Sequence, residues 1–355
     1  MLELAEVLAR HWPAYERQFG ARMLPSQRAA VRAILCCRTP SLGGQLYQCR
    51  CGHTHYAYHS CGHRACPKCG HADATAWIGR QQCRLLPGVP YFLVTFTVPA
   101  QLRELIRRQQ RLLYGRLLRE SATTLQEVAS QPKHLGAQLG LLGVLHTWSR
   151  QLSYHPHVHY VVAGAGLSAD GRRWQRVRSA QFFLPERVLA RRFRQRLRRA
   201  LAKEDPAGLA RVPTRVWRID WVVDVIAVGN GAGALKYLSR YVYRTALASA
   251  RILADDEHGV TFRFRQSEEG RWKTVTLAPA EFLRRFLQHV LPAGFQRVRY
   301  YGWLAAAAQW RWQQIEGLLD WRRPEPPPIK SVPPPQCPQC RQPMCLIGRL
   351  PRAPP

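Results

Sequence analysis

Alternation of apolar and polar residues predicts a β-strand near the middle of the chain. Residues 154–162 read Tyr-His-Pro-His-Val-His-Tyr-Val-Val, so His157 and His159 share one face while Val158 and Tyr160 share the other. Two imidazoles on one face are placed to bind one metal ion. The same pattern also describes ordinary polar positions on a half-buried strand, and the rest of the chain has to distinguish the two interpretations.

A second apolar run, residues 141–148, precedes this strand at a distance that suits antiparallel pairing. Such a pair brings His146 across to the face of His157 and His159, where it offers a third nitrogen ligand. His155 is the competing third ligand, because it lies in the same histidine-rich strand.

The remaining periodicity predicts helices and strands in similar amounts. The N-terminal 36 residues predict two helices, the second opening at Pro25. Further helices are expected at 102–127, 184–201, 232–250 and 279–290, and further strands at 91–99, 215–228, 260–265 and 272–277. We therefore expect an α+β fold, divided into an N-terminal module (1–88), a main domain (89–320) and a proline-rich tail (321–355).

Cysteines and histidines crowd the segment from Cys36 to His71, where aromatic and aliphatic residues are sparse. A hydrophobic core cannot stabilise such a segment, whereas zinc can. The predicted zinc ligands are Cys49, Cys51, Cys66 and Cys69, with Cys37, His53 and Cys61 as competing ligands. The alternatives, a redox-active pair or scattered free thiols, fit this density poorly.

The tail repeats one of these motifs after a run of prolines that is typical of a stiff linker. Cys337 and Cys340 have the Cys-x-x-Cys spacing of Cys66 and Cys69, and Cys345 follows. By itself, this Cys-x-x-Cys motif, or zinc knuckle, is a partial zinc site that needs another residue or another chain to complete it.

Charge indicates the partner. The 355 residues include 53 Lys and Arg against 22 Asp and Glu, a formal net charge of +31, and basic residues recur along the whole sequence. This distribution favours nucleic acid over a membrane surface. With neither a basic leader nor a long uncharged apolar run, we expect a soluble cytoplasmic protein associated with the nucleoid and no membrane partner.

Two predicted helices carry candidate functional residues. The helix at 184–201 bears an arginine cluster without acidic neighbours in sequence, which suits a phosphate-binding surface, although a solvated face is the simpler interpretation. The helix at 232–250 has Tyr237 and Tyr241 one turn apart, a spacing that is most often packing. The arginines predicted to bind DNA are Arg191, Arg192, Arg194, Arg196 and Arg198 in the first helix, with Arg240 and Arg244 in the second.

The order of these motifs resembles a known family. The cysteine cluster, Val144-Leu145-His146-Thr147-Trp148, His155-Pro156-His157-Val158-His159, Tyr237-Leu238-Ser239-Arg240-Tyr241 and Phe282-Leu283-Arg284-Arg285-Phe286 follow one another as in rolling-circle insertion-sequence transposases. These enzymes form the two-tyrosine subgroup of the HUH nucleases, named for His-hydrophobic-His, and carry an N-terminal zinc-binding domain.

The resemblance implies an antiparallel-sheet nuclease core with flanking helices and a small zinc-binding domain. It further implies that His146, His157 and His159 bind catalytic Mg²⁺ or Mn²⁺, and that Tyr237 and Tyr241 attack single-stranded DNA, including hairpins at element ends, to form 5′-phosphotyrosine. The alternatives are a plasmid replication initiator or relaxase with the same chemistry, and a non-catalytic zinc-dependent DNA-binding regulator.

Overall fold

A computed structural model describes residues 2–243, 245–266, 270–328 and 333–352, and within this part it does not describe the side chains of His71, Ala72, Arg240, Tyr241 and Tyr243. The helices are α1 (Leu4–Phe19), α2 (Pro25–Cys36), α3 (His71–Gln82), α4 (Arg103–Arg108), α5 (Gln110–Ala129), α6 (Glu186–Glu204), α7 (Pro206–Ala210), α8 (Ala232–Tyr243), α9 (Pro279–Leu287) and α10 (Gln309–Leu319). The strands are β1 (Gly44–Gln48), β2 (Thr54–Tyr58), β3 (Tyr91–Thr97), β4 (Gly140–Trp148), β5 (Tyr154–Ala163), β6 (Ala165–Leu167), β7 (Trp174–Arg176), β8 (Val223–Ala227), β9 (Ile252–Asp256), β10 (Gly259–Arg265), β11 (Trp272–Leu277), β12 (Val298–Gly302) and β13 (Cys345–Leu350). The predicted α+β class is confirmed.

The central sheet has the strand order β12-β4-β5-β3-β8, and each neighbouring pair is antiparallel. The predicted pairing of the two middle strands is confirmed, with His146 opposite His157 in the register of β4 and β5. Because side chains alternate along a strand, each strand contributes to both faces of the sheet.

The two faces have different covers. Helices α5 and α6 pack on one face over Phe96, Val158 and Tyr160, in the largest cluster of buried apolar residues that the structure describes. Residues of α3, α8 and α10 pack on the other face over Val144 and Val161. The histidine-bearing positions alternate with the core positions of the α5–α6 face and therefore lie on the α8 side.

The N-terminal helices do not form a core of their own. Helices α1 and α2 share a buried cluster with β10, α9 and the cysteine-rich segment, joining Leu8 and Ile34 to Phe262 and Phe286. The predicted division at residue 88 therefore does not separate two cores. Sequence periodicity could not reveal this, because α1 and α9 are joined only by tertiary packing.

The tail returns to the N-terminal module instead of continuing as a linker. Strand β13 pairs antiparallel with β1, which pairs in turn with β2, so the described sheet order is β13-β1-β2. Upstream of this strand, the carbonyl of Glu325 accepts from the Cys83 thiol at 3.4 Å. The proline-rich residues that the structure describes before residue 329 thus run past the end of α3.

Three predicted elements differ from the observed ones. Only the end of the predicted strand at 215–228 forms β8, because Val216 and Trp221 turn into the core under α6. The predicted helix at 102–127 is divided at Gln109, whose side chain donates to Asp205 at 2.5 Å. The helix predicted to reach residue 250 ends at Tyr243.

Among the described helices, none is both long enough and apolar enough to cross a membrane.

Candidate metal and tyrosine site

Three histidines converge on the α8 side of the central sheet. The ring centroids lie 4.4 Å apart for His146 and His159, 5.0 Å for His146 and His157, and 4.8 Å for His157 and His159. One nitrogen from each ring lies within 4.8 Å of the others, the arrangement of ligands around a single ion. We call these three residues the histidine group.

Burial keeps these imidazoles neutral. His146 and His159 are buried, and desolvation lowers the pKa of each well below the ordinary histidine value, with the neighbouring histidines adding to the effect. Desolvation likewise lowers the pKa of His157 to about 4. A neutral imidazole has one lone pair to offer, so the group is prepared for a cation rather than for protons.

Hydrogen bonds at the second ring nitrogens orient two of the rings. Nδ1 of His157 donates to the carbonyl oxygen of His155 at 2.6 Å, which leaves its Nε2 as the lone-pair nitrogen. Nδ1 of His159 is 2.8 Å from the Thr95 hydroxyl. Nε2 of His159 is buried and has no hydrogen-bond partner among the described residues. Second-ring hydrogen bonds of this kind accompany metal-binding histidines, so the donor set fits a divalent cation.

His155 faces a different partner. Its Nδ1 accepts from a guanidinium nitrogen of Arg103 at 2.7 Å, and it does not belong to the group of converging nitrogens. Of the two candidates for the third ligand, the structure therefore brings His146 to the other histidines and not His155.

Helix α8 places a tyrosine beside the histidine group. Ala234, Leu235 and Leu238 bury one side of α8 against the sheet. Tyr237 is 38% exposed, and its ring lies 6.1 Å from the His159 ring in an edge-to-face arrangement. A phenol that is both next to the histidines and open to solvent is accessible to a large substrate.

The second predicted tyrosine lies on the same helix, one turn later in the sequence. The side chains of Tyr241 and Arg240 lie outside the described residues, and so does Arg244. Their predicted roles stay predictions.

Eight of the eleven cysteines form two groups, and the four cysteines predicted as one set of zinc ligands divide between these groups. Cys66 and Cys69 join Cys37 and Cys61, while Cys49 and Cys51 join Cys337 and Cys340 from the tail. In the first group the Sγ atoms of Cys37 and Cys61 each lie 3.6 Å from that of Cys69. His53 belongs to neither group. The competing ligands Cys37 and Cys61 thus complete the first group. Cys337 and Cys340, from the tail, complete the second group.

The arginine helix, α6, packs on the face of the sheet opposite the histidine group. Its arginines are not free of acidic neighbours, because Arg196 forms ion pairs with Glu120 at 3.0 Å and with Glu127, both on α5. Arg194 donates to the carbonyl of Ile219, and Arg198 lies 5.8 Å from the Trp217 ring. Of the arginines predicted to bind DNA in this helix, Arg191, Arg192 and Arg198 are exposed, and Arg194 and Arg196 are half-buried.

Two further residues beside the histidines had not been singled out from the sequence. Thr95 is recognisable in retrospect, since it occupies an alternate position of β3 opposite His159. Arg103 gives no such signal, because only the tertiary fold brings α4 to His155.

Two known protein families match separate parts of the chain. The family described as "Transposase zinc-binding domain" matches residues 7–98, and the family described as "Putative transposase" matches residues 140–311. The second range contains the histidine group and both tyrosines. No solved structure matches the chain significantly.

Two relatives cover most of the chain. "Putative transposase y4qJ" of Sinorhizobium fredii (strain NBRC 101917 / NGR234) is 38% identical over 323 residues, 85% of this chain and 80% of that protein. "Transposase for insertion sequence element IS801" of Pseudomonas savastanoi pv. phaseolicola is 31% identical over 296 residues, 78% of this chain and 69% of that protein. The chain belongs to the IS91 family of transposases.

Membership confirms the resemblance found in the sequence and favours a transposase over a replication initiator or a relaxase. A transposase acts on DNA, in agreement with the charge of +31. The zinc-binding match and the cysteine groups together support structural zinc.

Proposed function

We propose that this transposase is a two-tyrosine HUH nuclease that cleaves and rejoins single-stranded DNA at the ends of its element, in rolling-circle transposition. The observation that carries this proposal is the position of the Tyr237 ring, 6.1 Å from His159, which is one of three buried histidines with converging nitrogens. Metal-assisted phosphodiester cleavage requires a nucleophile next to a bound cation, and these residues can supply both.

The histidine group would hold Mg²⁺ or Mn²⁺, through Nε2 of His157 and His159 and a nitrogen of His146. When bound, such an ion neutralises charge on the scissile phosphate and on the leaving oxygen. Thr95 and the His155 carbonyl hold two of the rings in place. The Arg103 guanidinium at His155 provides positive charge on the same side of the sheet.

Tyr237 is the proposed nucleophile. Its phenol oxygen gives up its proton and forms a bond to phosphorus as the bond from phosphorus to the 3′ oxygen breaks. The 3′ oxygen takes up one proton to become a hydroxyl, so the proton lost by the phenol balances the proton gained by the leaving group. The product is a 5′-phosphotyrosine that keeps a phosphodiester bond, so rejoining by the reverse attack needs no nucleotide cofactor.

Tyr241 is proposed as the second nucleophile. It follows Tyr237 by four residues on α8, a spacing at which side chains share one helical face. Two nucleophiles permit two successive attacks, one on the donor strand and one on the target or on the far end of the element.

DNA guidance is assigned to the basic and aromatic side chains. Arginines contact phosphates without regard to sequence, and exposed aromatic rings stack on unpaired bases. The zinc-binding module, with Cys37, Cys61, Cys66 and Cys69 as the proposed ligands of its ion, would help to recognise an element end, including one folded as a hairpin. The proposed arginines are Arg191, Arg192, Arg198, Arg240 and Arg244; Arg194 and Arg196 are left out because they bond to Ile219 and to Glu120 and Glu127 within the protein.

Covalent capture tests the proposal. The purified protein is mixed with Mn²⁺ and a labelled single-stranded oligonucleotide carrying the terminal sequence that flanks its gene, and adducts are separated on a denaturing gel. We expect wild type to form a protein–DNA adduct and the double variant Tyr237→Phe/Tyr241→Phe to form none.

Tyr56→Phe is the matched control, because Tyr56 is an exposed tyrosine on β2 and belongs to neither the histidine group nor α8. This variant should form the adduct as wild type does. Adduct formation by the double variant at the wild-type level would refute the assignment of the nucleophiles.

A further inference from the structure

The second cysteine group joins two parts of the chain that lie almost three hundred residues apart. Cys49 and Cys51 come from the turn between β1 and β2, and Cys337 and Cys340 come from the tail just before β13. The zinc-binding family match covers residues 7–98 and therefore accounts for only half of this group. We call these four residues the terminal cysteine group.

Distances within the terminal cysteine group suit a metal. The Sγ atom of Cys340 lies 3.3 Å from that of Cys49 and 3.6 Å from that of Cys51, and Cys51 lies 3.6 Å from Cys337. Four thiolates around zinc, each about 2.3 Å from the ion, stand about 3.8 Å apart. A disulfide instead requires about 2.05 Å between two sulfurs. The group thus has the size of a tetrahedral thiolate site.

Each cysteine pair is presented by a tight backbone turn. In the first turn, the amide of Cys49 donates to the carbonyl of His53 at 2.9 Å, and Gly52 has a positive φ of 90°. In the second turn, the amide of Arg341 donates to the carbonyl of Cys337 at 2.8 Å, and Arg341 has a positive φ of 61°. The two turns face each other and point their four thiols at one place.

Backbone pairing brings these turns together. In the register of β1 and β13, Gln48 lies opposite Cys345 and Gly44 opposite Leu350. The two chain segments come close together at the end of β13, where a Cβ atom on Gly43 would stand 2.6 Å from the Leu350 carbonyl oxygen. Gly43 also has a positive φ of 67°. Glycine at this position therefore permits the tail to pass.

Apolar packing alone is too small to hold the tail in this position. The cluster at the turns contains Cys49, Cys337 and Met344, with Tyr47 packed against it. Leu346 and Ile347 on β13 are about half exposed, at 50% and 52%. A cluster of this size needs a cross-link, as in other small domains with few buried apolar residues.

We propose that Cys49, Cys51, Cys337 and Cys340 bind a second structural zinc ion, which fastens the tail to the N-terminal module. Cys37, Cys61, Cys66 and Cys69 hold the first ion, so the chain carries two thiolate-bound zinc ions. The proposal does not depend on the tyrosine chemistry, because neither group contributes a residue to the site of Tyr237.

Zinc content measured by inductively coupled plasma mass spectrometry tests the stoichiometry. All proteins are full length and carry His157→Ala/His159→Ala, so that the histidine group does not add to the zinc count. We expect two zinc ions per chain in this background, one after Cys337→Ser/Cys340→Ser, and two after the control Cys345→Ser. Two ions in the Cys337→Ser/Cys340→Ser protein would overturn the proposal.

Alkylation of the unmutated protein gives a second readout that does not depend on the folding of a variant. Cys340 and Cys345 are both exposed, so iodoacetamide should label both at similar rates if the terminal cysteine group holds no metal. With zinc bound, we expect Cys345 to label promptly and Cys49, Cys51, Cys337 and Cys340 to become reactive together only after chelation. Labelling of Cys340 as fast as Cys345 in the zinc-loaded protein would overturn the proposal, and so would a disulfide within the group.

Discussion

The two faces of the central sheet are built from alternate residues of the same strands, and both carry buried apolar clusters, but they differ where the histidines lie. On β3, Phe96 points into the apolar cluster under α5 and α6, whereas Thr95 points to the other side and contacts His159. On β5, Val158 stands between His157 and His159 in the sequence but points into the apolar cluster on the opposite face. Apolar packing on both faces stabilises the strands, and the α8 face also uses their rigidity to hold polar groups in fixed positions.

This difference has a physical cause. An imidazole buried without a cation or a hydrogen bond costs free energy, and the apolar clusters on the two faces of the sheet offset this cost. The comparison suggests that stability and chemistry can be changed separately by substituting neighbouring residues of one strand.

The largest effect is expected from Phe96→Ala, on stability. Phe96 is 1% exposed and packs against Tyr160 and Phe193, with ring centroids 6.0 Å and 5.0 Å away. Removing its ring should lower the free energy of unfolding by about 3–5 kcal/mol. Urea denaturation measures the loss, and Phe96→Leu is the control with a smaller expected loss. The yield of protein–DNA adduct in Phe96→Ala should fall only in proportion to the fraction of protein that is folded. A larger fall would show that a substitution on the α5–α6 face also changes the chemistry on the histidine face.

A smaller effect, on metal binding, is expected from Thr95→Val. Valine keeps the shape of threonine but removes the hydroxyl that holds the His159 ring. Loss of such a partner should weaken Mn²⁺ binding by about 10–100-fold, with little change in stability. Titration of adduct formation with Mn²⁺ measures this.

Thr97→Val is the matched control for this prediction, because Thr97 lies two residues along β3 on the same face, opposite His157 in register. It should leave the Mn²⁺ dependence close to that of wild type. Equal weakening by both variants would assign the effect to the strand and not to the Thr95 hydroxyl.

The grouping of the three histidines could be predicted from the sequence because it depends on residues that are close together in the chain. Alternation along residues 154–162 places His157 and His159 on one side, and one antiparallel pairing adds His146. Two strands that are close in sequence leave few choices of register, particularly when each has an apolar face that must be buried.

The grouping of the cysteines could not be predicted in this way. Cys49 meets Cys340 across 291 positions, and nothing in the local pattern around either residue encodes that contact. The one available signal was the incomplete knuckle in the tail, which required partners without indicating which ones. The ion pairs of Arg196 are similar, since Glu120 and Glu127 lie on a separate helix.

On the opposite face, the arginines of α6 divide into two kinds, and the smallest effect is expected from the exposed kind. Arg191 and Arg192 face solvent, whereas Arg196 pairs with Glu120, whose side chain is only 8% exposed. The double variant Arg191→Ala/Arg192→Ala should weaken single-stranded DNA binding. It should also make the slope of log K against log salt concentration less steep, by about 0.7 for each lost phosphate contact. Arg196→Ala should instead cost about 1–3 kcal/mol of stability, because it removes the closer of the two arginines that pair with the Glu120 carboxylate.

Fluorescence anisotropy with a labelled oligonucleotide at several salt concentrations measures the first change, and urea denaturation measures the second. If the double variant keeps the wild-type salt dependence, α6 is a solvated face that does not contact DNA. In that case the DNA path lies on the α8 side of the sheet, and the arginines near the histidine group, beginning with Arg103, become the phosphate contacts to test.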